Sequence, residues 1–424
     1  MYLPQSGNYW VEVSKLHRFD LKDNHTNLRK PSESIKTHLT DASDFARLRL
    51  LQVVGNPDVC ESPVERHPKR TTGLLREGSM VKATKVAGLH GSDLTKPQII
   101  GIYRNMVTAR LISQRAWVLN RQGKVYFHMP SDGSEAADAG SAVVLRPGQD
   151  ILMPYVRDLA AALTFGMTIR EVMLNLLMKS DDPNGGGRNM PLHFGSRRLR
   201  IISHSSPTGT QIPQAVGIAM ASKFAKRDEV TLVYFGDGSS NKGDFHEGLN
   251  LAGLMKVPVV FFCVNNGVAL SVPNELQIAG DNIAMRAESY GFPGVQVDGT
   301  DPLAVYEVTT AAVDRARRGD GPTLIEALTV RLMSHSSSDD HTRYRTTEEL
   351  ETDKLRDPVP LFQNRLIQEG ILDKEEDGEI WASLQNDINE ATDWAESQPD
   401  PVAETALLNV YHESNGVADN PLGN

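Results

Sequence analysis

Two apolar runs constrain the fold of this chain more than any other feature. They are "VTLVYF" at residues 230–235 and "PVVFFCV" at 258–264, separated by one segment of helical character, "DFHEGLNLAGLMKV". A strand that alternates apolar and polar residues can face water on one side, but a run apolar at every position must be covered on both. Two such strands joined by a helix form a βαβ unit, which predicts a parallel sheet with helices on both faces. "PTLIEALTVRL" (322–332) adds a further strand after the helix "DPLAVYEVTTAAVDRARRG", and "DILMPYVRD" (150–158) reads as a short one.

Around this core the periodicity places more helices. Between Thr95 and Gln122 the residues Ile99, Ile100, Tyr103, Met106, Val107 and Leu111 recur at helical spacing, and Gly123 closes the segment. "PSDGSEAADAGSAVVL" turns into an Ala-rich stretch suited to close packing on a sheet. "TIREVMLNLLMKS" is a helix capped by Thr168, and "SSPTGTQIPQAVGIAMASKFA" passes from loop to helix. Between them, "DDPNGGGRNMPLHFGS" is too polar and Gly-rich to hold regular structure, and a loop of that length suggests a functional role. The tail from Leu361 to about Glu396 is charged and helical, and no internal repeat is visible.

In a parallel α/β sheet, ligands bind beyond the carboxyl ends of the strands. Two polar motifs sit at such ends: Gly236-Asp237-Gly238, and Asn265-Asn266 after 26 intervening residues. Because the crossover returns the chain to the same edge, Asp237 and Asn266 should lie close in space. A carboxylate, an amide oxygen and a nearby backbone carbonyl are hard oxygen donors, too few to enclose an ion. Such a set suits Mg²⁺, which is completed by water and substrate phosphates, so the arrangement asks for a diphosphate. Taken alone, the Gly-Asp-Gly stretch also reads as an ordinary strand-end turn.

The GDG–26–NN spacing resembles the thiamine diphosphate motif. From about residue 95 to 410 the chain is similar to the alpha subunits of the decarboxylating first component of 2-oxo acid dehydrogenase complexes. The segments "GRNMPLHFG", "SSPTGTQIPQAVG", "VDGTDPLAVY" and "HSSSDDHTRYR" look closest to the branched-chain members. The resemblance implies a thiamine diphosphate-binding α/β fold at 91–345, an irregular N-terminal extension at 1–90 and a helical C-terminal region at 346–424 for subunit contacts. It implies Asp237, Asn266 and the Val268 carbonyl as Mg²⁺ ligands, with Gly236, Gly238 and Ser239 beside the cofactor. Arg157 and His335 would meet the diphosphate, His335 as the catalytic residue, and Tyr155, Ser206 and Thr208 would line the pocket. Ser205, Pro207, Thr210 and Gln211 resemble a K⁺-binding loop, although Ser and Thr before a helix also read as caps. Phe127 joins the expected pocket residues. The polar loop Ser336–Arg345 is expected to order over the cofactor, with Ser336 at the place of a regulatory phosphoserine in mitochondrial relatives.

The resemblance also implies partners. In that family the glutamate that activates the aminopyrimidine ring belongs to a separate beta subunit, so an α₂β₂ heterotetramer is expected, working with a lipoyl-bearing acyltransferase core. Glu135 is the nearest alternative within the chain. Four positions depart from the family pattern: Ser134, Val156 in place of a Tyr, Val268 where relatives carry Tyr, and Thr208 where an apolar side chain is usual. A pyruvate or acetoin dehydrogenase alpha subunit and a non-catalytic partner-binding subunit therefore stay open as alternatives.

Composition narrows the remaining classes. The net charge of −10 argues against a nucleic-acid binder, which needs clustered Lys and Arg. Residues 1–90 nevertheless carry 14 Lys and Arg against 10 Asp and Glu, so the acidic excess belongs to the body of the chain. Two cysteines, Cys60 and Cys263, are too few for a disulfide framework, and Cys263 lies inside an apolar strand. No apolar run approaches the ~18 residues of a membrane span. These features fit a soluble protein of a reducing compartment: the cytoplasm of a prokaryote, or the mitochondrial matrix of a eukaryote.

Overall fold

The computed structural model describes residues 93–407. The expected 1–90 extension, Cys60 and the last part of the 346–424 region lie outside the described residues. Strands β1 (Ile151–Met153), β2 (Thr231–Gly236), β3 (Val259–Asn265), β6 (Gly294–Asp298) and β7 (Thr323–Leu328) form one sheet in the order β1-β2-β3-β7-β6. Every pairing in it is parallel. A small antiparallel hairpin, β4 (Val268–Ala269) with β5 (Val272–Pro273), projects just beyond β3.

The apolar runs are buried on both faces, as their composition demands. Leu232 and Tyr234 of β2, with Val260, Phe262 and Val264 of β3, pack into one apolar cluster. This cluster also takes in side chains of α1 (Lys96–Arg121), α2 (Glu135–Ala142), α3 (Leu159–Thr164), α4 (Ile169–Leu176), α7 (Pro302–Arg317) and α9 (Pro358–Gln368). The alternate residues Val233, Phe235, Val259, Phe261 and Cys263 face a second cluster under α5 (Gln211–Phe224) and α6 (Gly243–Met255). Cys263 is a buried free thiol within it. Each large apolar side chain placed this way contributes about 1.5–3 kcal/mol of transfer free energy.

Local signals set the helix ends. Thr168 accepts the Glu171 amide at 3.2 Å while the Glu171 carboxylate accepts the Thr168 amide at 2.8 Å, a reciprocal cap on α4. The expected strand over 150–158 is confined to Ile151–Met153, because Pro154 has no N–H to donate to a ladder and the chain turns there toward α3. The tail is not one helix. After α8 (Thr347–Lys354) and α9, Gly370 adopts a left-handed φ of 68° and Asp373 accepts the amides of Glu375 and Glu376, which restarts the chain as α10 (Lys374–Glu396). The Tyr103 hydroxyl of α1 donates to Asp377 at 2.6 Å and accepts from the Trp381 indole at 3.0 Å, which fastens α10 to the body. Among the described residues no helix is long and apolar enough to cross a membrane.

Phe261, fully buried at the centre of the sheet, tests the two-sided burial. Phe261→Ala should lower stability by about 3–5 kcal/mol, read from the denaturant midpoint, and a loss below about 1 kcal/mol would contradict the burial described for β3.

Candidate active site

The segments that follow β1, β2, β3 and β7 converge at the carboxyl edge of the sheet around a cavity of about 240 Å³. Its wall contains Tyr155, Arg157 and Asp158 after β1, and Gly236, Asp237, Gly238 and Ser239 at the end of β2. It continues with Val264, Asn266, Val268, Ala269 and Leu270 from β3 and its hairpin, Thr208 from the loop before α5, and His335 beyond β7. Strand register explains why sequence-distant motifs meet: Gly236 pairs with Val264, so Asp237 and Asn266 leave neighbouring strands at almost the same level. The two loops also touch. A Cβ built on Gly238 would stand 2.7 Å from the Ala269 Cβ, so only glycine lets the β2 and β3 loops approach this closely. A wider cleft of about 530 Å³ between α1 and α10 lies away from the strand ends.

Asp237 is 2% exposed, and burial pushes its carboxyl above the usual range against the opposing pull of Gln277, Arg331 and Arg157. Its Oδ2 accepts the Gln277 amide at 2.7 Å. A buried carboxylate raised by desolvation favours a cation beside it. Among the described residues no group of three or more His, Cys, Asp or Glu side chains can hold a metal ion, so the cavity offers few charged donors, Asp237 and Asp158, among neutral oxygens. Such a donor set fits an ion that shares its coordination with phosphates and does not fit one caged by protein alone.

Arg157 is buried, and its Nη1 donates to the Pro130 carbonyl at 2.6 Å. Its Nη2 lies 3.2 Å from the His335 carbonyl and 3.3 Å from His335 Nδ1. A guanidinium only donates, so Nδ1 is the acceptor and the His335 proton resides on Nε2. Burial, Arg157 and Arg331 together lower His335 to about 4, and the imidazole is neutral at physiological pH. Asp158, which the sequence did not single out, is buried, accepts the Tyr155 amide at 2.7 Å and is pushed up to about 7 by desolvation.

The polar loop after β7 is ordered by its own contacts. The backbone amide of His335 donates to Asp339 at 2.8 Å, and the Tyr344 hydroxyl donates to Asp339 at 2.6 Å while accepting from Arg331 at 2.8 Å. The Ser337 amide donates to the His128 carbonyl at 2.8 Å. Ser336 is 5% exposed, its hydroxyl 3.0 Å from that of Ser338.

Other expected residues fall differently. Ser206 is not part of the cavity wall; its hydroxyl meets His193 Nε2 at 2.9 Å. Phe127, expected in the pocket, is absent from the cavity wall and packs, half-buried, against the main apolar cluster. Glu135 is fully buried and paired with Arg110 at 2.6 Å, which commits it to the core. In the Ser205–Gln211 loop, the Ser205 and Thr210 hydroxyls touch, Thr210 donates to the Pro207 carbonyl at 3.0 Å, and Gln211 Nε2 donates to the Tyr234 carbonyl at 2.9 Å. The Gln211 Oε1 is buried without a hydrogen-bond partner, and Thr210 makes no side-chain cap to α5. The capping interpretation therefore fails, and clustered oxygens with one orphan acceptor suit a monovalent cation.

Behind Tyr155 stands a layer that the sequence did not reveal. The His204 ring stacks on His193 at 4.3 Å and tilts against Tyr155 at 5.1 Å. It is 4% exposed, with neither ring nitrogen hydrogen-bonded, and burial with the neighbouring His193 lowers it to about 3. As pH falls from the ordinary value of 6.5 toward 3, the unfolded chain takes up a proton here that the folded chain refuses, so stability is lost across that window. His204→Phe keeps the stack and removes the titration. Its melting temperature should fall less than that of the parent between about pH 6.5 and 4, and parallel acid limbs would disprove the assignment.

The dehydrogenase E1 component family model matches residues 103–404. Among curated proteins, the chain is 48% identical over 318 residues to the 2-oxoisovalerate dehydrogenase subunit alpha of Bacillus subtilis, covering 75% of this chain and 96% of that protein. It is 37% identical to the mitochondrial 2-oxoisovalerate dehydrogenase subunit alpha of Dictyostelium discoideum, over 75% of this chain and 72% of that protein. It is 36% identical to the human mitochondrial protein of the same name, over 76% and 72%.

Proposed function

Since the chain belongs to the dehydrogenase E1 component family, we propose that it works as the alpha subunit of a branched-chain 2-oxo acid dehydrogenase, decarboxylating 2-oxoisovalerate-type substrates on thiamine diphosphate. The observation that carries this reading is the convergence of Asp237, Asn266, Val268, Arg157 and His335 on one cavity at the carboxyl edge of the sheet. Thiamine diphosphate, when bound, supplies the electron sink for decarboxylation.

In this reading Asp237, the Asn266 side chain and the Val268 carbonyl hold Mg²⁺. The backbone of Val268 suffices, so the absence of a Tyr there does not remove a ligand. Arg157 grips the diphosphate with its guanidinium, already aimed by the Pro130 and His335 carbonyls. His335 presents an Nε2–H to the phosphate end and stays neutral, so it donates a hydrogen bond without adding a full charge. Gly236, Gly238 and Ser239 let the ligand approach the backbone, and Tyr155 and Thr208 form the wall toward the substrate. Ser206, expected beside the cofactor, is held 2.9 Å from His193 outside that wall. Ser205, Pro207, Thr210 and the orphan oxygen of Gln211 hold K⁺, which locks the loop carrying Thr208.

Among the described residues no glutamate lines the cavity, and Glu135 is committed to Arg110. A beta subunit therefore supplies the acid that activates the cofactor, within an α₂β₂ heterotetramer. The acyl group passes to the lipoyl group of an acyltransferase core. Residues 91–345 act as the cofactor domain and 346–424 as a helical region for subunit contacts, in the cytoplasm of a prokaryote or the matrix of a mitochondrion.

The test uses the chain assembled with its beta subunit. Turnover with 3-methyl-2-oxobutanoate should exceed that with pyruvate by at least about tenfold in kcat/KM, and the reverse preference overturns the branched-chain assignment. Calorimetry should show saturable binding of thiamine diphosphate with Mg²⁺, and Asp237→Asn should weaken it by about ten- to a hundredfold. An absence of binding to the parent assembly assigns the chain a partner-binding role instead.

A further inference from the structure

Asp237 and a second buried carboxylate, Glu326, lie two strands apart in the sheet and are joined by an unbroken chain of three side-chain amides. Glu326 stands in the middle of β7, 1% exposed, and contributes nothing to the cavity wall. It accepts from Asn265 Nδ2 at 2.7 Å, from the backbone amides of Ile283 and Ala284 at 2.9 and 3.0 Å, and from Gln296 Nε2 at 3.3 Å. Asn265 Oδ1 in turn accepts from Asn274 Nδ2 at 2.8 Å and from the Gly267 amide at 3.0 Å. Asn274 Oδ1 accepts from Gln277 Nε2 at 2.9 Å, and the same Gln277 nitrogen donates to Asp237 Oδ2 at 2.7 Å.

The donors along this chain have a fixed sense. A carboxylate only accepts, so Glu326 obliges Asn265 to turn its NH₂ inward and its oxygen outward, which fixes Asn274 and then Gln277. Flipping any one amide would set its oxygen against another acceptor. The chain runs from the buried Asn265–Glu326 pair to the half-buried Asn274 and Gln277, and the parts of such a connected network act together. The chain governs both sides of the cation site. Through Gln277 it holds Oδ2 of Asp237; through Asn265 it fixes the Gly267 amide between Asn266 and Val268.

We propose that Glu326, Asn265, Asn274 and Gln277 are positioning residues that preset the divalent-cation site, with Gln277 the link that touches a ligand. The inference rests on the assignment of Asp237, Asn266 and Val268 as ligands. Partners of metal ligands tune affinity without touching the ion, commonly by about ten- to a hundredfold. Gln277 is half-buried, so its replacement can change affinity without emptying the core.

The experiment titrates Mn²⁺ by electron paramagnetic resonance into the full chain assembled with its beta subunit, at saturating thiamine diphosphate. It compares the parent, Gln277→Leu, Glu326→Gln and the double variant. Gln277→Leu should weaken Mn²⁺ by about ten- to a hundredfold with the melting temperature of the cation-free protein unchanged. Glu326→Gln should weaken it in the same direction, and the double variant should lose less than the sum of the two, as members of one network do. If Glu326→Gln does not fold, Gln277→Leu alone decides. A parent that binds Mn²⁺ beside a Gln277→Leu that binds equally well overturns the chain while leaving the cation site intact. A fall in affinity that merely tracks a fall in cation-free melting temperature overturns it too, in favour of a scaffold role. A parent that shows no saturable Mn²⁺ binding overturns the ligand assignment and this inference with it.

Discussion

Burial of the sheet on both faces is the constraint from which the rest follows. With β2 and β3 closed off above and below by apolar clusters, polar chemistry has little room except at the strand ends. There the parallel direction of all five strands delivers loop after loop to one edge. Asp237, Asn266 and His335 are separated widely in sequence and need no further device to meet. One exception inside the sheet, Glu326, is held by Asn265, Gln296 and two backbone amides and connects back to the same edge.

That edge is electrostatically tense. Arg157 and Arg331 are both buried, and burial draws each downward from its ordinary value, helped at Arg157 by Arg331 and at Arg331 by Arg345. Arg331 leaves Nε and Nη1 without hydrogen-bond partners. Two guanidiniums held close in a desolvated site are unfavourable in isolation and favourable once an anion lies between or beside them. The neutral state of His335 belongs to the same balance, since a third positive charge there would compete with both. Asp237 supplies one compensating charge, and the remainder suits a group of several negative charges.

How much of this was legible in the sequence depended on the kind of signal. The βαβ unit was plain because "VTLVYF" and "PVVFFCV" are apolar at every position but Thr231, and the closeness of Asp237 and Asn266 followed from the crossover. Strand β6 escaped because it lies at the sheet edge and only Val297 in it is buried. Helix α3 spans only Leu159–Thr164, too short for a period to declare itself. Asp158 reads as a residue at a helix start, and nothing local says that its carboxyl faces a cavity. Gln277 and Glu326 were invisible for a deeper reason: their contacts to Asp237 and Asn265 span 40 and 61 residues, and each alone is an unremarkable polar side chain, as is Asn274 between them. The orphan oxygen of Gln211 belongs to the same class, being a vacancy among neighbours and not a pattern along the chain.

The packing of Ser336 has a kinetic meaning. Its hydroxyl lies against that of Ser338 while the Ser337 amide is bonded to His128, and with 5% of the residue exposed an enzyme needs the loop to open before it can engage it. Its rate of modification would report the free energy of local opening, not the intrinsic nucleophilicity of a serine. A ligand that tightens the cavity beneath would slow that rate in proportion to how tightly it binds, making the loop a clock for site occupancy.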